Sequence, residues 1–251
     1  MSRILAFLYG VVSYAVFFFS FLYAIGFVGN LVVPKSIDSD PESSVVRSVI
    51  INLVLLGLFA VQHTIMARPW FKRWWTKIVP VQVERSTFVL VASLLLILLF
   101  WQWCPMTTVI WSVEDPAGKA FLIGLFWLGW LTVLLSTFMI NHFDLFGLRQ
   151  VYLHLRDQEY HHIKFTTAYM YRIVRHPIML GFIIAFWSSP QMTSGHLLFA
   201  IATTAYILIG IQFEEHDLHN FMGKDYEEYK RHVPMLIPFL RKRKTPGDQG
   251  F

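Results

Sequence analysis

Long apolar runs constrain the fold of this chain more than any motif does. A helix rises about 1.5 Å per residue, so roughly 20 apolar residues cross the hydrocarbon core of a bilayer. Runs of that kind occupy residues 5–31, 46–66, 86–103 and 121–140, and two more lie at 178–187 and 197–213. Lipid offers no partner to a backbone N–H or C=O, so a spanning segment must satisfy itself, as a helix does. The run at 178–187 is short for a span, and with 197–213 it reads as a helical hairpin turning at "SSPQMTSGH". The expected fold class is all-α: a polytopic integral membrane protein with five to six transmembrane helices. Its last two helices form the hairpin, and a cytosolic amphipathic tail follows.

Charge supports this reading. Only 15% of the residues are charged, against roughly a quarter in soluble domains. The sequence pI of about 9.3 could suggest nucleic acid, but the basic residues stand in loops beside apolar runs, where they set membrane topology. Arg68, Lys72, Arg73, Lys77 and Arg85 share one loop region with a single acid, Glu84, whereas "VPKSIDSDPESS" and "SVEDPAGK" are mixed or acidic. The alternation places both termini, the "RKRK" tail and the loop before the hairpin in the cytoplasm. The N-terminal run is long enough to span and reads as the first helix rather than a cleaved signal. A single cysteine, Cys104, excludes an internal disulfide.

Against that background "YRIVRHPIMLG" stands out, because Arg172, Arg175, His176 and Pro177 crowd the mouth of an apolar segment. Charge beside lipid is costly and marks function, a partner or an anchor. The legs of the hairpin are about 20 Å and 27 Å long at helical rise. They bring "RHP" and "QFEEHDLH" to similar depth. Glu214 and Glu215, adjacent on a helix, point about 100° apart. Two readings follow: interfacial carboxylates paired with Arg172 or Arg175, or a clamp in which a guanidinium takes a ligand carboxylate and a carboxylate takes its ammonium. Pro177 frees backbone groups, and Gly181 permits close approach of a ligand or a helix.

"RHPIMLG", the hairpin, "FEEHDL", "GKDYEEYKRHVP" and "MLIP" together resemble the isoprenylcysteine carboxyl methyltransferase superfamily. The resemblance implies a site for S-adenosyl-L-methionine built by Tyr171, Arg175, His176, Leu180, Gly181, Glu214 and Tyr229. Met179 stands where the pattern often has tyrosine, so an aromatic contact would come from Tyr171 or Tyr169. "QHTIMARPWFKRWWTKIVP", "ERSTFVLVASLLLILLFWQW", "NHFDLFGLRQVYL" and "GHLLFAIATTAYILIGIQFEEHDL" resemble the bacterial methanethiol S-methyltransferases and, more distantly, NnrU-type membrane proteins. This implies methyl transfer to a small thiol, methanethiol, giving dimethyl sulfide, in a bacterial inner membrane with the cofactor site on the cytoplasmic side. Residues 1–141 would shape the substrate side and residues 142–251 the cofactor site. A methyltransferase acting on a prenylated or lipid-like acceptor and an NnrU-like accessory protein binding a ligand or haem are the other two readings.

Thiolate is the better nucleophile, and a free thiol titrates near 8.5, so a positioned base would help. His142, His176, Glu214 and Glu215 are the candidate catalytic groups. No metal centre is expected, because the one H-x-x-H (His216, His219) and the one H-H (His161, His162) are separated by the hairpin. His63 in "VQHTIMAR" reads as an interfacial hydrogen-bonding group. His142 and Asp144 could shape the substrate end of the pocket. Trp70, Trp74 and Trp75 read as an interfacial belt. "YEEYKRH" reads as an amphipathic helix, with a lid carrying Tyr226 or Tyr229 as its functional alternative.

Overall fold

A computed structural model describes residues 1–39, 44–161 and 169–238. The "RKRK" tail and His162 lie outside the described residues. In chain order the helices are α1 (Arg3–Gly29), α2 (Val45–Ala67), α3 (Pro69–Trp75), α4 (Val81–Gln102), α5 (Pro116–Ile140), α6 (His142–Leu145), α7 (Leu148–Leu155), α8 (Pro177–Trp187), α9 (Ser194–Met222) and α10 (Lys224–His232). Five of them, α1, α2, α4, α5 and α9, are long and apolar enough to cross a membrane, and α8 is a shorter apolar helix. Their outward faces carry large apolar side chains, among them Phe19, Val54, Trp101, Phe121 and Ile209. Water would penalise such surfaces and lipid accepts them. The protein is a polytopic all-α integral membrane protein, as the apolar runs predict.

Local signals explain where the helices start and stop. Ser2 caps α1 by accepting from Leu5 N–H, Asp115 caps α5 through Gly118 N–H, and Thr193 caps α9 through His196 N–H. Prolines occupy the first turns of α3, α5 and α8, where a missing N–H costs nothing. The α9 helix runs on past its apolar run to Met222 and ends at Gly223, whose φ is +59°. Glu214 and Glu215 therefore sit in the helix itself, about two turns before its end.

One element was not expected. Strands β1 (Val109–Ser112) and β2 (Gln191–Thr193) pair antiparallel and tie the α4–α5 connection to the hairpin turn. This end of the bundle is closed further by Asn52, whose side-chain amide makes two hydrogen bonds of 2.8 and 2.9 Å with the backbone of Cys104. Thr193 also donates to Asp38 there. The core beneath is aromatic, with Phe27, Phe100, Trp103, Trp130, Phe186 and Phe199 packed together.

The hairpin is set against α5 by a glycine contact. A Cβ added to Gly181 would lie 2.7 Å from the carbonyl oxygen of Gly129, and one added to Gly129 would lie 2.6 Å from Ala185 N. The helices α5 and α8 thus meet backbone to backbone, the small-residue packing favoured in lipid. That contact positions the start of α8, where the site lies.

Candidate active site

The site forms where the start of α8, the end of α9 and α10 converge. His176 precedes α8, and Pro177 begins it. The segment before α8 pairs with the chain after α10: Arg175 N–H donates to Pro234 O and His176 N–H to Met235 O. This backbone pairing fixes the side chains of Arg175 and His176 over α9.

Arg175 and Glu215 are the centre of a buried network. Nη2 and Nε of Arg175 lie 2.6 and 2.8 Å from Glu215 Oε1. Nη1 donates to the carbonyls of Val233 and Lys230 at 2.5 and 3.3 Å. Lys230 Nζ lies 2.7 Å from the other carboxylate oxygen, Glu215 Oε2. His176 completes the group, with Nε2 3.2 Å from Glu215 Oε1 and Nδ1 3.4 Å from Glu214 Oε2. The side chains of Arg175, His176 and Glu215 are 5–7% exposed, whereas that of Glu214 is 44% exposed. The adjacent carboxylates thus divide, Glu215 sunk among Arg175, Lys230 and His176 and Glu214 half-exposed at the surface.

Burial alone would lower the His176 imidazole, but hydrogen bonds to Glu214 and Glu215 and their charges outweigh it and raise its pKa. Burial, partly offset by Arg175, pushes the Tyr229 phenol up to about 12. It is therefore a hydrogen-bond donor at neutral pH, and its hydroxyl donates to Tyr171 O at 2.6 Å. Burial also raises the Tyr171 phenol well above its ordinary value. The Tyr171 hydroxyl reaches Ser136 O on α5 at 3.5 Å.

Six of the residues singled out in the sequence thus come together: Tyr171, Arg175, His176, Glu214, Glu215 and Tyr229. The others lie apart from them. Gly181 faces α5, and Leu180 packs with Ile207, Ile211 and Leu236 beneath the network. His142 sits on α6 in an aromatic nest, stacked on Phe138 at 4.3 Å and edge-on to Phe146 at 4.8 Å. Its Nε2 meets the Tyr14 hydroxyl at 2.7 Å and its Nδ1 the Thr137 hydroxyl at 2.8 Å. Burial lowers its pKa. Asn141, just before it, holds a φ of +147°, a conformation that costs a non-glycine residue about 1–3 kcal/mol. His216 and His219 lie on α9, where His219 Nδ1 approaches Glu227 at 3.6 Å.

Lys230 and the Pro234–Met235 carbonyls were not anticipated. The signal for Lys230 was legible: Tyr226, Tyr229 and Lys230 stand three and four residues apart, so they share one face of α10. Tyr226 is buried on that face. The backbone pairing has no side-chain signature.

A buried Arg–Glu–Lys–His network with one carboxylate left half-exposed is chemistry that many ion-pair clusters share. Comparison with known proteins narrows it. The methanethiol S-methyltransferase of Mycobacterium tuberculosis is 58% identical over 239 residues, which cover 95% of this chain and 98% of that protein. Methanethiol S-methyltransferase 2 of Bradyrhizobium diazoefficiens is 54% identical over 248 residues, 99% of this chain and 95% of the relative. The chain belongs to the methanethiol S-methyltransferase family. As a member of that family it is a methyltransferase, which sets aside the non-catalytic reading. Nurim of Bos taurus is 26% identical over 185 residues, 70% of each chain, and this wider likeness is consistent with the isoprenylcysteine methyltransferase-like membrane proteins. No protein-family model and no solved structure matches the chain.

Proposed function

We propose that the protein transfers a methyl group from S-adenosyl-L-methionine to methanethiol, giving dimethyl sulfide. The observation that carries this reading is identity above 50% over nearly the whole chain to methanethiol S-methyltransferases. The site residues fit the donor. An amino-acid moiety carries an ammonium and a carboxylate, and the partly exposed edge of the network offers both charge signs through Glu214 and Lys230. Glu214, half-exposed and next to His176, is the carboxylate suited to take the ammonium. Arg175 is largely engaged by Glu215 and two carbonyls, so it acts by holding the site's shape and positive potential. Lys230, 43% exposed, is the cation with reach toward a ligand carboxylate. This refines the clamp expected from sequence by shifting the ligand contacts outward from the buried pair.

The donor supplies a methyl group already activated on a sulfonium. The protein must align the thiol sulfur in line with it, exclude water and remove the thiol proton. In this reading the cytoplasmic side is the face bearing α3, α6, α7 and α10, because Arg68, Lys72, Arg73, Lys77 and Arg85 lie on or beside it. Residues 142–251 hold the donor there, and the helices within 1–141 line the acceptor side. A small apolar thiol and its apolar product can enter and leave through the bilayer.

Headspace gas chromatography over membranes containing the protein tests the reaction. Dimethyl sulfide should accumulate only when methanethiol and S-adenosyl-L-methionine are both present. Binding of S-adenosylhomocysteine without any dimethyl sulfide would sink methanethiol as acceptor and point to a larger, lipid-like one.

A further inference from the structure

His176, His142 and His63 use their ring nitrogens differently. Those of His176 face Glu214 and Glu215, and those of His142 face the hydroxyls of Tyr14 and Thr137. On α2, the buried Nδ1 of His63 has no hydrogen-bond partner among the described residues. The expectation of an interfacial hydrogen-bonding group is unmet at that atom. A buried imidazole nitrogen left alone is unfavourable unless a ligand or water completes it.

The surroundings of His63 say what that ligand could be. Its ring lies along Phe59, with centroids 5.2 Å apart, and against Phe88 at 4.9 Å. Three charged groups act on it: Arg68 just past the end of its own helix, Arg85 from α4 and Glu214 from α9. Beyond His63 the α2–α9 seam is held by Thr64 Oγ1 to the Tyr206 hydroxyl at 3.5 Å and, one turn further on, by the Arg68–Asp217 ion pair at 2.7 Å. The place is thus walled by aromatic rings, and the charges of Arg68, Arg85 and Glu214, the carboxylate of the proposed donor site, are felt there. A small thiol matches it in size, polarity and acid–base chemistry.

We propose that His63 Nδ1 accepts the thiol proton, in an acceptor subsite walled by Phe59 and Phe88 where α2 meets α4 and α9. This rests on the methyl-transfer reading above. The S–H proton passes to Nδ1, and the sulfur pair forms the new S–CH3 bond. As it forms, the carbon–sulfonium bond of the donor breaks and its electron pair stays on the donor sulfur, which becomes a neutral thioether. Arg68 and Arg85 stabilise the thiolate, and Glu214 stabilises the imidazolium. The proton then leaves to solvent. His142 lies on the far side of the aromatic cluster that joins Phe88 to Phe146, and its engaged nitrogens fit a wall of the pocket.

His63→Asn keeps a polar atom near Nδ1 but removes the base. The full-length protein in proteoliposomes is read three ways: S-adenosylhomocysteine affinity, ultraviolet thiolate absorbance when methanethiol meets the S-adenosylhomocysteine complex, and the dimethyl sulfide rate. The variant should bind S-adenosylhomocysteine like wild type and lose the thiolate signal at neutral pH. Its rate should fall about a hundredfold, with the deficit shrinking as pH rises toward the thiol's own pKa. A wild-type thiolate signal and rate in His63→Asn would overturn the assignment. So would loss of S-adenosylhomocysteine binding in both His63→Asn and His63→Gln, which would mark the residue as structural. Absence of dimethyl sulfide from wild type counts instead against the methyl-transfer reading. The thiolate signal needs no turnover and still decides the role of His63.

Discussion

Glu214 and Glu215 are chemically identical neighbours made different by one helical step of about 100°. Glu215 is sunk among Arg175, Lys230 and His176, while Glu214 stays half-exposed. Removing one member of a buried charge cluster leaves the rest uncompensated, which typically costs about 3–5 kcal/mol. Glu215→Ala should therefore damage folding as well as binding. His176 gives the clearest pH signature. Its native pKa is raised by the two glutamates, so protonated His176 stabilises the fold fully below the unfolded value of about 6.5. That contribution is lost as pH rises through the raised native value. Thermal unfolding in detergent should show wild type losing stability over the window above about 6.5, with His176→Gln flatter across it. Parallel profiles for the two proteins would show that the carboxylates do not hold the histidine charged. The chemistry-bearing residues were legible because charge stands out against an apolar sequence. What each one touches was not: adjacent glutamates carry no mark of which is buried, and the orphan Nδ1 of His63 depends on tertiary packing.

At the scale of elements, the hairpin was legible from the shortness of one apolar run and the hydropathy of the next. The β1–β2 pair was not, because strands of four and three residues carry too little pattern to distinguish them from loop. The continuation of α9 past its apolar run was legible as far as the glutamates, which read as neighbours on one helix, while its end at Met222 gives no hydropathy signal. The Gly129–Gly181 contact is the element-level device that brings Arg175 and His176 over α9. Gly181→Val should force α5 and α8 apart, costing about 1–3 kcal/mol by overpacking, and should weaken S-adenosylhomocysteine binding along with stability. Gly210→Ala is the matched control on α9, because nothing lies within 4 Å of the added carbon. Equal melting temperatures for wild type and Gly181→Val would contradict the packing described.

For the whole molecule, apolar content and loop charge predicted a polytopic helical protein because lipid leaves a spanning chain few alternatives. The two ends of the bundle differ in kind. One is closed by β1–β2, Asn52 and the Thr193–Asp38 bond, and the other carries the charged network and the short helices. In this account the closed end keeps the hairpin rigid while the charged end binds the donor. In the proposed reading the donor binds at the half-exposed edge of the buried network, with Glu214 as its ammonium contact. Calorimetry with S-adenosylhomocysteine tests it most directly, on wild type, Glu214→Gln and Glu228→Gln, the last an exposed carboxylate on α10. A charge-assisted hydrogen bond is worth about 1.5–3 kcal/mol, so Glu214→Gln should bind roughly tenfold to a hundredfold more weakly and Glu228→Gln like wild type. Wild-type affinity in Glu214→Gln would place the donor elsewhere and contradict the account.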